Sequence, residues 1–295
     1  MNRGIAFGVG AYMAWGVLPI FWKTIESVDS FEILSHRIVW SVLFLGLIIV
    51  ARRSWEQIRS LSPRVLGRLS LAGILLGVNW ATYIWAVNSE HIVESSLGYF
   101  INPLLNVVLG VVILRERLER GQWLAVAVAT LGVTYMTVSV GSLPWIALVL
   151  AGTFGVYALL KKQMDEVGPI ESLAVEVTLI LIPALVFLGF LGLSGDGSFV
   201  SAGPRISVLL VFTGVATAVP LVLFGAAAQR IKLSTIGLLQ YIAPTLQFLI
   251  GVFVYDETVG DDELIGFVLV WIALAMYTGH GLLRHRRGRP QPLVV

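Results

Sequence analysis

Across 295 residues the chain is 57% hydrophobic and only 13% charged, with a mean hydropathy of +0.87. A soluble domain carries about 25% charged residues, so the expected solvent is lipid, and the absence of cysteine excludes a disulfide framework and thiolate metal sites. The net charge is only +2, and its basic residues sit in short loops, where they report membrane topology and not nucleic-acid binding.

A helix that crosses hydrocarbon needs about 20 apolar residues. Ten such segments follow one another, at 4–23, 33–51, 69–88, 93–114, 121–138, 143–160, 170–193, 206–226, 233–255 and 264–283. Open sheet edges are too costly in lipid, so all ten are expected to be transmembrane helices. The first segment, Gly4 to Phe21, runs on to Lys23 without a small-residue cleavage site, and it reads as a retained span and not a signal peptide.

Lys and Arg follow these segments in a strict alternation. Arg3 precedes the first span; Arg52, Arg53, Arg59, Arg64 and Arg68 follow the second; Arg115, Arg117 and Arg120 follow the fourth. Lys161 and Lys162 follow the sixth, Arg230 and Lys232 the eighth, and Arg284, Arg286, Arg287 and Arg289 the tenth. Seventeen of the 20 basic residues therefore fall in every second loop, while the loop from Asp256 to Glu263 carries five acids and no base. The alternation holds over all ten crossings and predicts cytoplasmic N- and C-termini.

A repeat divides the chain. Leu97-Gly-Tyr-Phe-Ile-Asn-Pro103-Leu-Leu-Asn106, continuing to Gly110 and Glu116, returns 141 positions later as Leu238-Leu-Gln-Tyr-Ile-Ala-Pro244-Thr-Leu-Gln247, continuing to Gly251 and Glu257. Shared Leu and Val mean little in apolar helices. A mid-span Pro, an amide one turn on and a closing Glu at one offset mean more. Five spans per half is an odd number, so the second half enters from the opposite side. The expected fold is an all-α integral membrane protein of ten transmembrane helices in two inverted five-helix repeats, 1–141 and 142–285, with a basic cytoplasmic tail at 286–295. Such a repeat is the usual build of a secondary transporter with its site near the midplane.

Further segments bear a resemblance. Trp15-Gly16 with Pro19 and Lys23, Glu32-Ile-Leu-Ser-His36-Arg37, Asn79-Trp80, Ile84-Trp85-Ala86-Val87-Asn88, Glu94 to Leu104, Gln122-Trp123-Leu-Ala-Val, Ser234-Thr-Ile-Gly and Gln240-Tyr-Ile-Ala-Pro244-Thr-Leu run almost the length of the chain. With these the sequence resembles the drug/metabolite transporter superfamily, in its EamA branch, and most closely the RarD-type permeases. Ala243 and the loop 194–205 depart from that pattern. The resemblance implies a bacterial inner-membrane carrier with a loose association with chloramphenicol sensitivity, and it implies no defined substrate.

Ionisable groups inside spans are costly and mark function more often than not. His36 and Arg37 lie about a turn and a half into span 2 from the outer face, and Glu176 lies at similar depth in span 7 from the cytoplasmic face. Glu32 matches Glu171, and on the same offset Arg37 matches Glu176. A direct Arg37–Glu176 bridge is disfavoured. Six residues at 1.5 Å put each about 9 Å deep in a core about 30 Å thick, leaving an axial gap of about 12 Å. His36 and Glu176 are the candidates for coupling to protons, and Arg37 is a candidate anchor for an anion. The structural alternatives are snorkelling for Arg37, an interfacial or capped role for His36, and for Glu176 a vestibule charge or a pair with Lys161 or Lys162.

Asn79, Asn88, Asn102, Asn106, Gln240 and Gln247 can hydrogen-bond a polar solute of either charge or bond helix to helix. Pro103 and Pro244 each free a carbonyl four residues earlier, at Tyr99 and Gln240, and are the candidate hinges. Trp15, Trp80, Tyr83 and Tyr99 fall deep enough to line a substrate path by stacking or to pack as core. Trp22 and Trp123 read as interfacial belt.

No Walker lysine loop, hydrolase elbow or metal-ligand spacing is present in the sequence, so no cofactor or metal is expected. The expected function is a secondary active carrier of small metabolites or drugs working by alternating access, driven by protons or exchange. Its partners would be membrane lipid and a small solute. Spans 5 and 10, the least polar, would be supports or a homodimer face. An integral membrane enzyme and a non-transporting sensor are the alternatives.

Overall fold

A computed structural model describes residues 3–89, 91–139, 144–256 and 260–286, excepting the side chains of 88, 92, 93, 139, 262, 263 and 281–286. The Asn88 side chain, Glu257 and the tail from Arg287 onward lie outside the described residues.

Every described regular element is a helix. In chain order these are α1 (Arg3–Lys23), α2 (Ser30–Arg52), the short α3 (Trp55–Arg59), α4 (Pro63–Asn88), α5 (Ile92–Val112), α6 (Arg120–Ser139) and α7 (Trp145–Lys162). There follow α8 (Pro169–Leu179), α9 (Leu181–Ser194), the single-turn α10 (Ser198–Ser201), α11 (Pro204–Ala228), α12 (Leu233–Gln240), α13 (Ile242–Val254) and α14 (Asp261–Arg286). Each of the ten apolar segments falls on one helix or on one consecutive pair. By length and composition eight spans can cross a membrane, or nine if α8 and α9 count together; α14 carries a shorter apolar stretch, Leu264–His280. The outward faces are those of a protein in lipid: Leu47, Val186, Phe190 and Leu193 are between 65% and 92% exposed, an apolar surface that water would not tolerate over such an extent.

Local chemistry sets the helix ends. The Asp29 carboxylate accepts the backbone N–H groups of Phe31 and Glu32 at 2.9 and 3.1 Å and caps α2. Ser62 accepts from Val65 N–H at 3.3 Å and caps α4, which opens on Pro63. Arg53 closes α2 in the left-handed region at φ 53°.

Two spans are interrupted. α8 and α9 bend by 51° at Ile180. Pro183 sits in the first turn of α9, where its missing N–H leaves the Leu179 carbonyl without its helical partner. α12 and α13 break at Tyr241, three residues ahead of Pro244. By contrast α5 runs unbroken through Pro103, so one of the two candidate hinges lies at a break and the other does not.

The helices pack in a reciprocal pattern. α1 lies on α11, α12 and α13; α2 lies on α8, α9 and α11; α4 lies on α7 and α8; α5 lies on α7 and α12; α6 pairs with α14 at the periphery. The contacts recur in kind. Gly16 of α1 seats the Leu246 side chain of α13, and Gly155 of α7 seats the Leu105 side chain of α5; neither glycine has room for a Cβ without displacing that leucine. α5 and α12 cross antiparallel: Glu116, just past the end of α5, accepts the Leu233 and Ser234 N–H groups at the start of α12 at 2.6 and 3.0 Å. Farther along, Tyr241 OH donates to the Phe100 carbonyl at 3.1 Å.

Candidate functional site

Between α1, α2, α4, α5, α7, α11 and the α12–α13 break lies a cavity of about 390 Å³. Its lining reaches from Tyr12 and Phe154 in the middle of the bundle to Trp22, Ser30 and Val87, where α1 ends, α2 begins and α4 ends. It therefore extends to one end of the helices.

Arg37 projects into this space from α2. Its Nε–H donates to Thr217 Oγ1 of α11 at 2.9 Å. The guanidinium carbon lies 5.0 Å from the ring centroid of Trp22 and 5.0 Å from that of Trp80, within cation–π range of both. Two rings and one hydroxyl thus hold the guanidinium in place. Tyr83 and Tyr99 face one another edge to face at 6.1 Å.

The amides form a chain across the cavity wall. Asn79 Nδ2 donates to the Leu150 carbonyl and to Thr153 Oγ1, both at 2.9 Å. Asn102 Nδ2 donates to the Ala151 carbonyl at 2.7 Å. Asn106 Nδ2 donates to Asn102 Oδ1 at 3.0 Å and to Gln240 Oε1 at 3.1 Å. Gln247 Nε2 reaches the Trp15 carbonyl at 3.3 Å. Most amide donors are therefore spent on joining helices. Gln240 Nε2, on the cavity wall, has no partner among the described residues.

Below the cavity floor the bundle is shut. Trp15, Phe154, Tyr157 and Phe224 make a ring cluster with neighbouring centroids 5.3–6.0 Å apart. Beneath it Lys161 Nζ donates to Glu176 Oε1 at 2.8 Å and to Ser172 Oγ at 2.5 Å. Ser172 Oγ donates to the same carboxylate oxygen at 2.7 Å, and Tyr157 OH donates to the other at 3.0 Å. Lys161 and Glu176 are 1% and 0% exposed, so this ion pair is dry and is held by two hydroxyls that meet the requirement for a buried charge to be both paired and hydrogen-bonded.

A cavity walled by several spans, with one end open and the other sealed, invites comparison with known carriers. The EamA-like transporter family matches residues 2–138. The chain is 46% identical over 290 residues to Protein RarD of Streptomyces exfoliatus, covering 98% of this chain and 92% of that protein. It belongs to the RarD-type permeases of the EamA family. An uncharacterized transporter of Pseudomonas aeruginosa is 42% identical over 297 residues, 99% of this chain and 98% of that protein. One crystal structure shares the fold at a TM-score of 0.71 and 18% identity, covering 94% of this chain and 97% of the other. The family and the names of these relatives point to a multi-pass membrane transporter.

In this RarD-type permease the cavity gathers Trp15, Arg37, Asn79, Trp80, Tyr83, Tyr99, Asn102, Gln240 and Gln247, with Pro244 at its edge. Asn106 lies one layer back, fully buried, and acts on the cavity through Asn102 and Gln240. Pro103 is outside the lining. His36 is also outside it: the ring stacks on Phe199 at 4.8 Å and accepts the Trp40 indole N–H at 3.1 Å, with Nε2 3.8 Å from Glu32. Glu176 is far from Arg37 in function, since its carboxylate belongs to Lys161. Trp22 is a partner of Arg37 and more than an interfacial ring. Thr217 and Phe224 escape the sequence reading altogether. Thr213 and Thr217, one turn apart in an otherwise apolar span, were the available signal for the first; nothing marks Phe224 among the other phenylalanines.

Proposed function

We propose that the chain is a secondary active carrier of small solutes that works by alternating access across a bacterial inner membrane. It would have ten spans in two inverted five-helix repeats, 1–141 and 142–285, with the N-terminus and the basic tail at 286–295 both cytoplasmic. The observation that carries this reading is the asymmetry of the bundle: an aqueous-sized cavity on one side, and on the other an aromatic floor over a buried ion pair. An alternating carrier caught in one of its two states has this form.

The packing supports the inverted repeat. Exchange of spans 1–5 with spans 6–10 turns the α4–α7 contact into α11–α1, and α4–α8 into α11–α2. It turns the Gly16–Leu246 seat into the Gly155–Leu105 seat, and it maps Phe100 onto Tyr241, which touch across the antiparallel α5–α12 crossing. On the Lys and Arg alternation the sealed end would face the cytoplasm, and the cavity would then be open outward and closed inward. Of the two coupling candidates, Glu176 has the better position. Protonation of its carboxylate would leave Lys161 buried and unpaired, an arrangement that costs several kcal/mol and that opening the inner end to water would relieve. Exchange of one solute for another would drive the same cycle without a proton.

Flux in proteoliposomes tests the reading. Amino acids, amines, organic acids and chloramphenicol would be screened with and without a proton gradient, for wild type beside Glu176→Gln. Saturable, gradient-dependent flux that the substitution abolishes is the expected result. Flux that ignores the substitution would remove Glu176 from the mechanism. Folded protein that moves none of these solutes would favour a sensor or an enzyme.

A further inference from the structure

We propose, resting on the carrier reading above, that the cavity takes a solute with one negative charge, a carboxylate or its equivalent, attached to a flat aromatic or apolar body. It would discriminate against cations and zwitterions. Arg37 is the one charged side chain among the described residues that line the cavity, and none of the described carboxylates lies within ion-pair distance of it. Every other observation bears on what is missing from that arrangement.

A guanidinium held inside a membrane span normally has an anionic partner. Here Nε is spent on the uncharged Thr217 hydroxyl, and the guanidinium carbon lies over the Trp22 and Trp80 rings. The terminal nitrogens have no partner among the described residues. They form the planar fork that accepts a carboxylate through two parallel hydrogen bonds. Gln240 Nε2 supplies a further free donor on the same cavity. The contrast with Lys161 is instructive, because the chain does provide an internal carboxylate where the cation is meant to stay neutralised.

The remainder of the lining decides the body of the solute. Trp15, Trp22, Trp80, Tyr83 and Tyr99 present ring faces and edges, and the volume of about 390 Å³ is at the small end of ligand sites. A single-ring acid fits such a space. An ammonium group would meet Arg37 as a like charge and find no carboxylate on the described wall to balance it.

The test is equilibrium binding to wild-type protein in lipid nanodiscs, followed by calorimetry and by quenching of tryptophan fluorescence, since Trp22 and Trp80 flank the anchor. Four probes share one phenyl body: hydrocinnamate, its uncharged amide, phenylpropylamine and phenylalanine. Hydrocinnamate is expected to bind about tenfold or more tighter than the amide, as charge-assisted hydrogen bonds require, with the amine and the zwitterion weaker still. Arg37→Gln should erase the preference for acid over amide by weakening the acid far more than the amide, and Arg37→Lys should retain part of the preference. Equal binding of acid and amide by wild type, a preference that survives Arg37→Gln, tighter binding of the amine or of phenylalanine, or no binding of any probe would each overturn the proposal. The wild-type series decides even if Arg37→Gln fails to fold. Acid binding without flux in proteoliposomes would defeat the carrier reading and leave this one standing. Saturable flux of the amine with no acid binding would do the reverse.

Discussion

Two ends of the bundle hold one cation each within a corresponding pair of positions, on opposite members of that pair, and treat it in opposite ways. Lys161 follows Trp22 by 139 positions, and Glu176 follows Arg37 by the same 139. On the proposed orientation the outer pair is Trp22 and Arg37, an indole over a guanidinium at 5.0 Å with space beside it. At the inner end it is Lys161 and Glu176, an ammonium on a carboxylate at 2.8 Å with no space at all. An indole attracts a cation without neutralising it, whereas a carboxylate neutralises it. The outer cation is left with charge to offer a visitor, and the inner one is consumed in closing the protein. Under the proposed repeat, one pair of positions has diverged into a receptor on one side and a lock on the other.

The largest expected effect comes from breaking the lock. Glu176→Gln leaves the Lys161 ammonium buried without its counter-charge, which costs about 3 kcal/mol or more, equivalent to a shift of about a hundredfold toward states in which the inner end is wet. The chain has no cysteine, so Ala228→Cys, buried at the inner end of α11, reports alone. Its labelling by an impermeant maleimide from the cytoplasmic side should rise steeply in the Glu176→Gln background. Replacing both partners, Lys161→Met with Glu176→Leu, should return labelling to the wild-type level, because an apolar pair of similar size seals as well as an ionic one. It should also remove any dependence of flux on the proton gradient. Labelling that stays low in Glu176→Gln, with protein expressed normally, would mean that the aromatic floor closes the inner end unaided.

A smaller effect is expected at the hinges, and it sharpens the comparison between the halves. Pro244 stands beside the α12–α13 break and at the cavity edge, while Pro103 lies within an unbroken helix outside the lining. Pro244→Ala restores a backbone donor to the Gln240 carbonyl and should straighten α12 into α13. Flux should fall several-fold while expression is maintained. Pro103→Ala should change flux less. Equal losses of flux and expression in both variants would make the two prolines folding elements and nothing more.

Much of this fold is legible in the sequence. Segment lengths and loop charges place a helix at each of ten sites, because in lipid the backbone has no other way to satisfy itself. Depth arithmetic keeps Arg37 apart from Glu176, and the structure gives that carboxylate to Lys161. What stays hidden depends on rotamers and crossing points. Composition cannot say whether Asn79 donates to a solute or to Leu150 and Thr153, nor that Trp22, near the end of α1, also packs onto Arg37. The 51° bend at Ile180 has a signal in Pro183 that the apolar run around it conceals. His36 reads as a proton-coupling candidate beside Arg37, yet successive residues on a helix point about 100° apart, and His36 faces Phe199 and not the cavity.

The smallest effect is the most specific. Thr217 accepts the Arg37 Nε–H and is only 2% exposed, but the fork itself borders the cavity. In Thr217→Ala water can replace part of the lost bond, so the cost should stay near about 1 kcal/mol, at the low end for a hydrogen bond to a charged group. That corresponds to roughly fivefold weaker binding of an aromatic acid, with little change in thermal stability, and Thr217→Ser should recover it. Ser172 holds the equivalent office at the other pair, where it accepts from Lys161 and donates to Glu176 in a fully buried setting. Ser172→Ala should therefore lower stability more than Thr217→Ala does, and should loosen closure without touching acid binding in the outward state. If instead Thr217→Ala lowered the melting temperature as much as Ser172→Ala and left acid binding unchanged, both hydroxyls would be braces of the bundle, and the outer cation would serve the fold just as the inner one does.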